Sequence, residues 1–470
     1  MDGRGRGVVT TYAAVWNAAW PNLLRVGDRC YSRGTMLHAF PTFADATHYA
    51  SPTTADGEGD GSFGNPWSLG DACRFAIAGN VVGVFAGIYV GQPSGVRYIP
   101  SFMTVNSGTL ISPIVFVAEN QASIVSTGYS DIRSGGTVTG LGGPAFGSLT
   151  NDYVFWIGFY SDENAVNNKG FEDSGTAVLW TVKGGGIVGC KLLGEIVTFI
   201  NNHAGIRLEN CVSIVACDNE ISGYNEQANG SGVNQAGVQT YETSDSIFEH
   251  NGLDDNGDGF HFKGREHTNN IVRLNRITNS RIAAFRIGGF VDDGTKRNLI
   301  TENLCVDNAY DVELAYSATV ESGVNGTDIV RNTFYAPSAP ASSYGLHITD
   351  GQEFHDNTFK NNIVYRSGAA YYGTESLSIS TAAEFRAYVD TDGNCLFGAS
   401  NCADGRSGSD FDQLSLAEWQ IQSAGDGNTI EADPLFNDAG NDDFTLDALS
   451  PALGMGCYSA GSVEPGIREL

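Results

Sequence analysis

Six short segments of the chain share one alternation of apolar and polar positions. Each begins with a small or acidic residue, and its second and fourth positions are apolar in all but one case. The segments are 205–209, 237–241, 259–263, 284–288, 311–315 and 345–349, and their starts lie 22 to 34 residues apart. A period of two is typical of β-strands, and a recurrence every 20 to 50 residues or so is typical of a solenoid. The pattern therefore predicts stacked strands.

A second pattern places an Asn two residues before an apolar side chain. Its members are Asn219, Asn251, Asn275, Asn303, Asn332 and Asn357. An Asn at the same turn of successive coils can stack its amide on its neighbours and satisfy buried polar groups. The six strand segments and the Asn motif thus form two ladders in each repeat of 22 to 34 residues, which implies about three short strands per coil. The sequence therefore predicts an all-β fold, a single-stranded parallel β-helix.

The repeat also suggests boundaries along the chain. Residues 1–47 carry no repeat and are expected to form an N-terminal cap or attachment segment. The β-helix is expected over 48–457, opened by a capping helix near 68–78. The stretch 370–430 is interpreted as an insertion with a short helix at 415–422, and 458–470 as a C-terminal tail.

Composition narrows the classes of partner and compartment. The net charge of -28 argues against nucleic-acid binding and against anionic membranes. No apolar run is long enough to span a membrane, and no signal peptide is visible, so we expect an extracellular or virion-borne protein. Of the nine Cys, Cys305 lies at a buried strand position, and Cys395 and Cys402 are close enough in sequence to form a disulfide.

Several motifs together resemble the right-handed parallel β-helix proteins of the pectate-lyase-like superfamily. They are the opening at 49–89, the Asn ladder, the stretch 416–419 and the closing stretches 433–436 and 450–453. The resemblance covers about residues 48–457 and implies a right-handed coil. The superfamily includes lyases, hydrolases, epimerases, phage tailspikes and non-catalytic adhesins, so activity must be argued from the site.

Within the six segments, the third and fifth positions point away from the core and are expected to face solvent. The third positions are Arg207, Gln239, His261, Arg286, Glu313 and His347. Because coils stack about 4.8 Å apart, Tyr241, His261, Lys263 and Arg286 are expected to share one patch. The stretch from His261 to Arg297 contains eight Lys and Arg residues and three acidic ones. This locally basic segment would suit an anionic polymer.

These residues suggest β-elimination from an acidic polysaccharide. The reaction needs a cation at the sugar carboxylate, a base for the C5 proton and an acid for the departing oxygen. Lys263 is the candidate base if its surroundings lower its pKa, Arg286 the carboxylate partner or proton donor, and His261 and Tyr241 alternatives for either role. Further candidate substrate-binding residues are Arg207, Gln239, Arg265, Glu313 and His347.

The succession of Lys263 and Arg286 on adjacent coils is similar to the Lys/Arg pair of β-helix alginate lyases and chondroitinase B. In those enzymes calcium ligands lie just before the Lys. The resemblance therefore implies a calcium ion at Asn256 and Asp258, with Asp254 beside them.

Two alternatives to a lyase stay open. A non-catalytic virion spike, receptor-binding protein or adhesin would be trimeric or attached through residues 1–47. A hydrolase or epimerase is the other. A hydrolase needs two carboxylates about 5–9.5 Å apart, whereas Glu209 and Glu313 are expected four coils apart, roughly 19 Å.

Overall fold

The computed structural model describes residues 23–26, 29–32, 40–91, 99–109, 112–122, 129–133, 144–165, 174–194, 203–225, 235–264, 267–290, 298–315, 323–340, 342–349, 354–374, 379–405, 410, 412–458 and 465–467. They belong to two compact units, Met1–Gly252 with Ile467–Leu470, and Leu253–Gly466. In each unit, a coil gives one strand to each of three parallel sheets, named here sheets I, II and III. Each unit is a parallel β-solenoid, which confirms the predicted fold class.

The strands of the first unit follow a fixed rotation. Along the chain they are β1 (Leu23–Val26), β2 (Arg29–Ser32), β3 (His48–Ala50), β4 (Val81–Val84), β5 (Gly87–Val90), β6 (Phe102–Met103), β7 (Ile114–Ala118), β8 (Ser130–Arg133), β9 (Phe146–Leu149), β10 (Val154–Ile157), β11 (Tyr160–Asp162), β12 (Ser174–Trp180), β13 (Gly185–Val188), β14 (Lys191–Leu193), β15 (His203–Glu209), β16 (Val215–Cys217), β17 (Glu220–Ser222), β18 (Gln235–Tyr241) and β19 (Ile247–Glu249). β1 and β2 form an antiparallel hairpin, β3 and β4 belong to sheet I, and from β5 the order II, III, I repeats.

The second unit repeats the rotation from sheet III onward, after β20 (Gly252–Asp254) of sheet II has carried the chain into it. Its strands are β21 (Asp258–Lys263), β22 (Ile271–Arg273), β23 (Arg276–Thr278), β24 (Ala283–Ile287), β25 (Asn298–Thr301), β26 (Leu304–Val306), β27 (Tyr310–Leu314), β28 (Val324–Asn325), β29 (Thr327–Val330), β30 (Thr333–Ala336), β31 (Tyr344–Ile348), β32 (Phe354–His355), β33 (Asn357–Lys360), β34 (Ile363–Arg366), β35 (Ala370–Thr374), β36 (Val389–Asp392), β37 (Cys395–Phe397), β38 (Asn401–Asp404), β39 (Ile430–Glu431), β40 (Phe436–Asp438) and β41 (Asp443–Leu446). β28 pairs with β32 and β40 with β41, outside the three sheets.

In the described residues, three α-helices accompany the strands: α1 (Leu69–Phe75), α2 (Ala382–Tyr388) and α3 (Leu416–Ser423). The first and last confirm the helices predicted near 68–78 and 415–422. Each of these two helices has an N-cap serine, Ser68 or Ser415, whose hydroxyl accepts a hydrogen bond from a backbone amide of the first turn. In the described part of the chain, no helix is both long enough and apolar enough to cross a membrane.

The described residues cover only part of the segments into which the sequence was divided. Most of 1–47 and 458–470 lies outside them, apart from the β1–β2 hairpin, 40–47, Tyr458 and 465–467. In the stretch interpreted as an insertion, β35 to β39 all pair within sheets I, II and III. The coil therefore continues through this stretch, with α2 and α3 added between strands.

The core consists of apolar side chains stacked from coil to coil. In sheet I of the first unit, Phe116 and Trp156 lie parallel with ring centroids 4.5 Å apart. In the second unit, Phe260 and Phe285 stack at 5.7 Å. Aromatic pairs of this kind add about 0.5–1.5 kcal/mol each beyond their buried area, so identical positions in neighbouring coils reinforce one another.

The Asn ladder is confirmed by its hydrogen bonds. In the second unit, the Asn275 side-chain amide donates to Asn303 Oδ1 at 2.9 Å, and Asn303 donates to Asn332 Oδ1 at 2.9 Å. The next rung is Asn362, at 3.1 Å from Asn332, and not Asn357 as the spacing predicts. Asn357 instead accepts from the backbone amide of Thr327, in a different row of turns.

The cysteine predictions have opposite outcomes. Cys305 is fully buried on β26, as expected. The predicted disulfide between Cys395 and Cys402 is wrong, because both are free, buried thiols on strands of different sheets. The Cys395 thiol instead donates to the carbonyl oxygen of Ala432 at 3.2 Å. Both side chains therefore act as small apolar core residues.

Candidate functional site

The small residue that opens each segment lies at the corner where the chain enters sheet III. A Cβ at Gly259 would come within 2.5 Å of Ile277 Cγ2, and one at Gly345 within 2.9 Å of Val364 Cγ1. These two positions therefore favour a glycine, because the backbone approaches a side chain of sheet II there, whereas Ala284 and Asp311 open the other two segments of the second unit. This constraint fixes the phase of the strand that follows, and with it the row of side chains at the third position.

The third positions of the second unit lie in register across four neighbouring strands of sheet III. His261 on β21 pairs with Arg286 on β24, Arg286 with Glu313 on β27, and Glu313 with His347 on β31. We call these four residues the polar row. Their alignment confirms the register predicted from the six segments, because in-register parallel strands bring equivalent side chains together.

In the first unit, the equivalent positions lie around one guanidinium. Arg207 pairs in register with Gln239, and Glu209 with Tyr241. The Arg207 guanidinium lies 4.7 Å from the Tyr241 ring centroid, and its Nη2 lies 3.2 Å from Glu209 Oε2. Three of the predicted site residues, Arg207, Gln239 and Tyr241, therefore belong to this group.

The prediction that the third positions face solvent is wrong for five of the six. Their exposed fractions are 5% for Arg207, 0% for Gln239, 6% for His261, 8% for Glu313 and 5% for His347. Strand alternation directs these side chains away from the core, but neighbours one coil away pack against them and exclude water. Arg286, whose side chain is 23% exposed, is the member of the polar row most open to solvent.

His347 shows how such packing occurs. Its imidazole packs against two tyrosines that also contact each other, with ring centroids 5.0 Å from Tyr310 and 5.1 Å from Tyr344, and both pairs are nearly parallel. Burial lowers the pKa of His347 to about 4, so the ring is neutral at neutral pH. Neither tyrosine was predicted from the sequence, although each stands one residue before a repeat segment.

A buried carboxylate lies beside the polar row. Asp258, at the start of β21, is fully buried, and its Oδ2 lies 3.4 Å from His261 Nδ1. No residue in the described ranges gives either Asp258 oxygen a hydrogen bond of good geometry. Burial raises the pKa of Asp258 to about 7, with Arg286 opposing the rise and Glu313 adding to it.

The charge state of the two basic members follows from the same surroundings. Burial lowers the pKa of His261 well below its usual range, and the positive charges of Arg286 and Lys263 lower it further. His261 is therefore neutral at neutral pH. For Arg286, burial alone would lower the pKa, but the carboxylates of Asp258 and Glu313 raise it above its usual value. Arg286 Nε lies 3.2 Å from Glu313 Oε2.

Lys263 lies at the fifth position of its segment, at the end of β21, and is partly exposed. Its carbonyl oxygen is 2.9 Å from Nε2 of the buried His267, which fixes the backbone at the strand end. His267 was not among the site residues predicted from the sequence. The other predicted basic residue here, Arg265, lies outside the described residues.

The three residues predicted to bind calcium differ in their exposure and in the partners of their side chains. Asp254 is exposed, and its Oδ1 already accepts from Thr278 Oγ1 at 2.5 Å and Asn279 Nδ2 at 2.8 Å. Asp258 and Asn256 are buried, and the positive charge of Arg286 acts on the pKa of Asp258. Among the described residues, no group of three or more His, Cys, Asp or Glu side chains could hold a metal ion. Calcium binding stays a prediction.

No protein-family model matches the chain, and no curated protein matches it in sequence. Solved structures do. The crystal structure of pectate lyase Pel9A aligns with a TM-score of 0.50 and 13% identity, over 90% of this chain and 96% of that one. The fold is that of the parallel β-helix proteins. At this identity the likeness defines the fold of this β-helix alone, so its activity has to be argued from its own side chains.

Two further structures align less closely. The Dettilon tailspike protein gp208 aligns with a TM-score of 0.40 and 15% identity, over 70% of this chain and 59% of that one. The A-module of Azotobacter vinelandii mannuronan C-5 epimerase AlgE6 aligns with a TM-score of 0.40 and 11% identity, over 76% of this β-helix and 91% of the module.

Proposed function

We propose that the chain binds an acidic polysaccharide and depolymerises it by β-elimination, as a secreted protein or as part of a virion tailspike. The observation that carries the proposal is Arg286. It is a permanent cation on sheet III that keeps almost a quarter of its side chain exposed while its neighbours in the polar row are buried. A guanidinium in this position suits a sugar carboxylate, which it can bind with two parallel hydrogen bonds.

Arg286 would prepare the substrate for proton loss. Pairing with the carboxylate at C5 neutralises its charge and stabilises the negative charge that develops when the C5 proton leaves. The carboxylates of Asp258 and Glu313 raise the pKa of the guanidinium, and Glu313 Oε2 lies 3.2 Å from its Nε. The sugar carboxylate would compete with Glu313 for Arg286, since Glu313 Oε2 is 3.2 Å away without completing a hydrogen bond to it.

Lys263 is our candidate for the base, and His261 is the alternative. Lys263 is partly exposed at the end of β21, one coil from Arg286, where it can reach a bound chain. His261 is neutral and can accept a proton, although only 6% of it is exposed. The base takes the C5 proton, the C5–H electron pair forms the C4–C5 double bond, and the C4–O bond breaks. The departing oxygen takes a proton from a cationic donor or from water.

The test is the ultraviolet absorbance of the unsaturated product during digestion of alginate, pectate, a glycosaminoglycan and bacterial capsule. We expect the wild type to cleave one of these polymers and Lys263→Met to lose about two to four orders of magnitude in rate. Lys360→Met is the matched control, because its ammonium pairs with Asp390 on sheet I of the same unit. His261→Gln decides between the two candidate bases.

Two results would overturn the proposal: no unsaturated product from any of the four polymers, or equal rates for Lys263→Met and Lys360→Met when His261→Gln is also active. Each digestion is run with calcium and again with a chelator. Loss of rate in the chelator alone would support the calcium prediction.

A non-catalytic spike or adhesin is the second candidate, favoured by the burial of the polar row. His261, Glu313 and His347 are at most 8% exposed, which leaves few polar side chains for chemistry on a bound chain. Under this alternative, a polysaccharide binds and stays intact. Light scattering tests the accompanying trimer: a monomer that is unchanged by deletion of residues 1–47 would count against it.

A further inference from the structure

The second unit contains a recessed site that the polar row does not use. It is a cavity of about 510 Å³ on the outer side of sheet II, between that sheet and the β40–β41 hairpin. Its polar and aromatic lining consists of Tyr335, Tyr365, Asp433, Phe436, Asn437 and Asp447. We call it the tyrosine pocket. Its volume lies in the range of about 300–1,000 Å³ that is typical of small-molecule sites.

Two tyrosines form the floor of the tyrosine pocket. Tyr335 on β30 and Tyr365 on β34 are paired in register, and their ring centroids lie 4.8 Å apart. Both rings are partly exposed. Within the described ranges, neither phenol hydroxyl has a hydrogen-bond partner. The floor therefore offers aromatic faces together with two unused hydroxyl groups, which can both donate and accept.

The hairpin holds one wall of the pocket in place. Phe436 lies edge-on to Tyr335, with ring centroids 5.8 Å apart, and Phe444 meets the same ring at 5.1 Å. Asn437 Nδ2 donates to Thr445 Oγ1 at 2.9 Å across the hairpin. This leaves the Asn437 carbonyl oxygen as an acceptor beside the cavity. The wall is thus packed against the floor before any ligand arrives.

Two carboxylates complete the polar lining. Asp433 Oδ1 accepts from the backbone amide of Leu435 at 2.9 Å, and Asp447 Oδ1 accepts from that of Leu449 at 2.7 Å. These local hydrogen bonds orient both groups at the rim. Two negative charges repel a polyanion, so the tyrosine pocket has the opposite electrostatic preference to Arg286 and Lys263.

We propose that the tyrosine pocket binds a neutral saccharide. The apolar face of a sugar ring would stack on Tyr335 and Tyr365, and its hydroxyl groups would donate to Asp433, Asp447 and the Asn437 carbonyl. Stacking supplies contact area, and the fixed acceptors supply orientation. This site is independent of the proposed lyase reaction, because it lies on another sheet and its two carboxylates disfavour the anionic polymers that Arg286 is proposed to bind.

Isothermal titration calorimetry on the full chain tests the proposal. The probes are neutral hexasaccharides of glucose, galactose, mannose, xylose and N-acetylglucosamine, with hexagalacturonate as the charged counterpart. We expect at least one neutral probe to bind. Tyr365→Ala should weaken that binding about two- to tenfold through loss of stacking, and Tyr365→Phe should weaken it less, since it removes only the hydroxyl.

The matched control is Tyr160→Ala. Tyr160 stacks with Tyr129 at 4.2 Å next to sheet II of the first unit, so it changes the same kind of aromatic pair outside the tyrosine pocket. It should leave saccharide binding unchanged.

The proposal is overturned if no neutral probe binds, if hexagalacturonate binds as tightly in a Tyr365-dependent way, or if Tyr160→Ala and Tyr365→Ala weaken binding equally. Thermal unfolding of Tyr365→Phe shows whether the pocket stays folded. The lyase rate should be the same in Tyr365→Ala and wild type, so the two proposals fail separately.

Discussion

Two arginines of the second unit show how a structural charge differs from a candidate functional one. Arg366 is fully buried and makes three hydrogen bonds, to Asp311 Oδ2 at 2.6 Å, Ser343 Oγ at 2.7 Å and the Ala309 carbonyl at 3.0 Å. Arg286 is partly exposed, and its Nε lies 3.2 Å from Glu313 Oε2 without a hydrogen bond of good geometry. Among the described residues, Nε has no partner of good geometry in either arginine, but the terminal nitrogens of Arg366 are bonded to protein acceptors inside the coil, whereas Arg286 is open to solvent.

The difference follows from where each arginine and its carboxylate partner lie in the coil. Asp311 opens its segment at the corner where the other strands have glycine or alanine, so its carboxylate points into the interior and requires a partner there. Arg286 stands at the third position, on the side of sheet III away from the core. A charge inside the coil has to be neutralised for folding, whereas a charge on the outer side can be left for a ligand.

The largest effect is expected from removing the structural arginine. Arg366→Met leaves the buried Asp311 carboxylate without its partner, and the free energy of unfolding should fall by about 3–5 kcal/mol. Guanidinium denaturation measures this change. Arg276→Met is the control, since the Arg276–Asp442 pair is at the surface and should contribute less than about 1 kcal/mol. Equal losses in the two variants would contradict the comparison.

The second effect concerns activity. Arg286→Met should lower the rate of polysaccharide cleavage about 10²- to 10³-fold, the usual cost of one preorganised donor to developing charge. Arg286→Lys keeps the charge and should recover part of the rate, because it loses the planar fork. Product absorbance gives the rate, and circular dichroism shows whether each variant is folded. A folded Arg286→Met with the wild-type rate would remove Arg286 from the site.

The third effect is a pH dependence of stability caused by Asp258. Its folded pKa of about 7 is above the usual value of an unfolded Asp, so the folded state binds the proton more tightly. The stability that this group contributes is present at low pH and is lost as the pH rises through 7. Relative to Asp258→Asn, the wild type should lose about 3 kcal/mol between about pH 5 and pH 8.

Chemical denaturation of both proteins at the two pH values checks this. The difference between them cancels the titration of other groups, and Asp438→Asn, at an exposed carboxylate, serves as the control. A constant difference across the range would show that Asp258 is ionised throughout, and therefore paired more closely with Arg286 or His261 than the distances suggest.

The smallest effect is expected for a neutral buried group. Asn303 donates to Asn332 and accepts from Asn275, so Asn303→Ala leaves buried amides unpaired in one rung of the ladder. The free energy of unfolding should fall by about 1–3 kcal/mol. Asn441→Ala, at an exposed turn, should change it by less than about 0.5 kcal/mol. A loss larger than that of Arg366→Met would reverse the ranking of neutral and charged interior groups.

Much of the fold could be predicted because its signals are local and repeated. The alternation of apolar positions gave the strands of sheet III, and the Asn spacing gave the turns, since every coil repeats the same contacts. The register of His261, Arg286, Glu313 and His347 followed directly from the alignment of segments. The error at Asn357 arose because two rows of turns contain similar Asn motifs.

The candidate site could be predicted less well. The alternation of apolar and polar residues predicts on which side of a strand a residue lies, but not which residues pack over that side. The burial of His261, Glu313 and His347 was therefore not predicted. The tyrosines around His347 escaped because the chain turns a corner just before each segment, which breaks the period of two there.

The sequence by itself determined the repeat, the strand phase and the residue type at each outward position, because these depend on neighbours a few residues away. Only the tertiary structure decided which outward charges are satisfied. The partners of Arg366 come from positions 23 to 57 residues earlier in the chain, and Tyr335, Tyr365 and Phe436 meet from positions as far as 101 residues apart. Such contacts depend on how coils stack and where the terminal hairpin packs, and no local pattern contains that information.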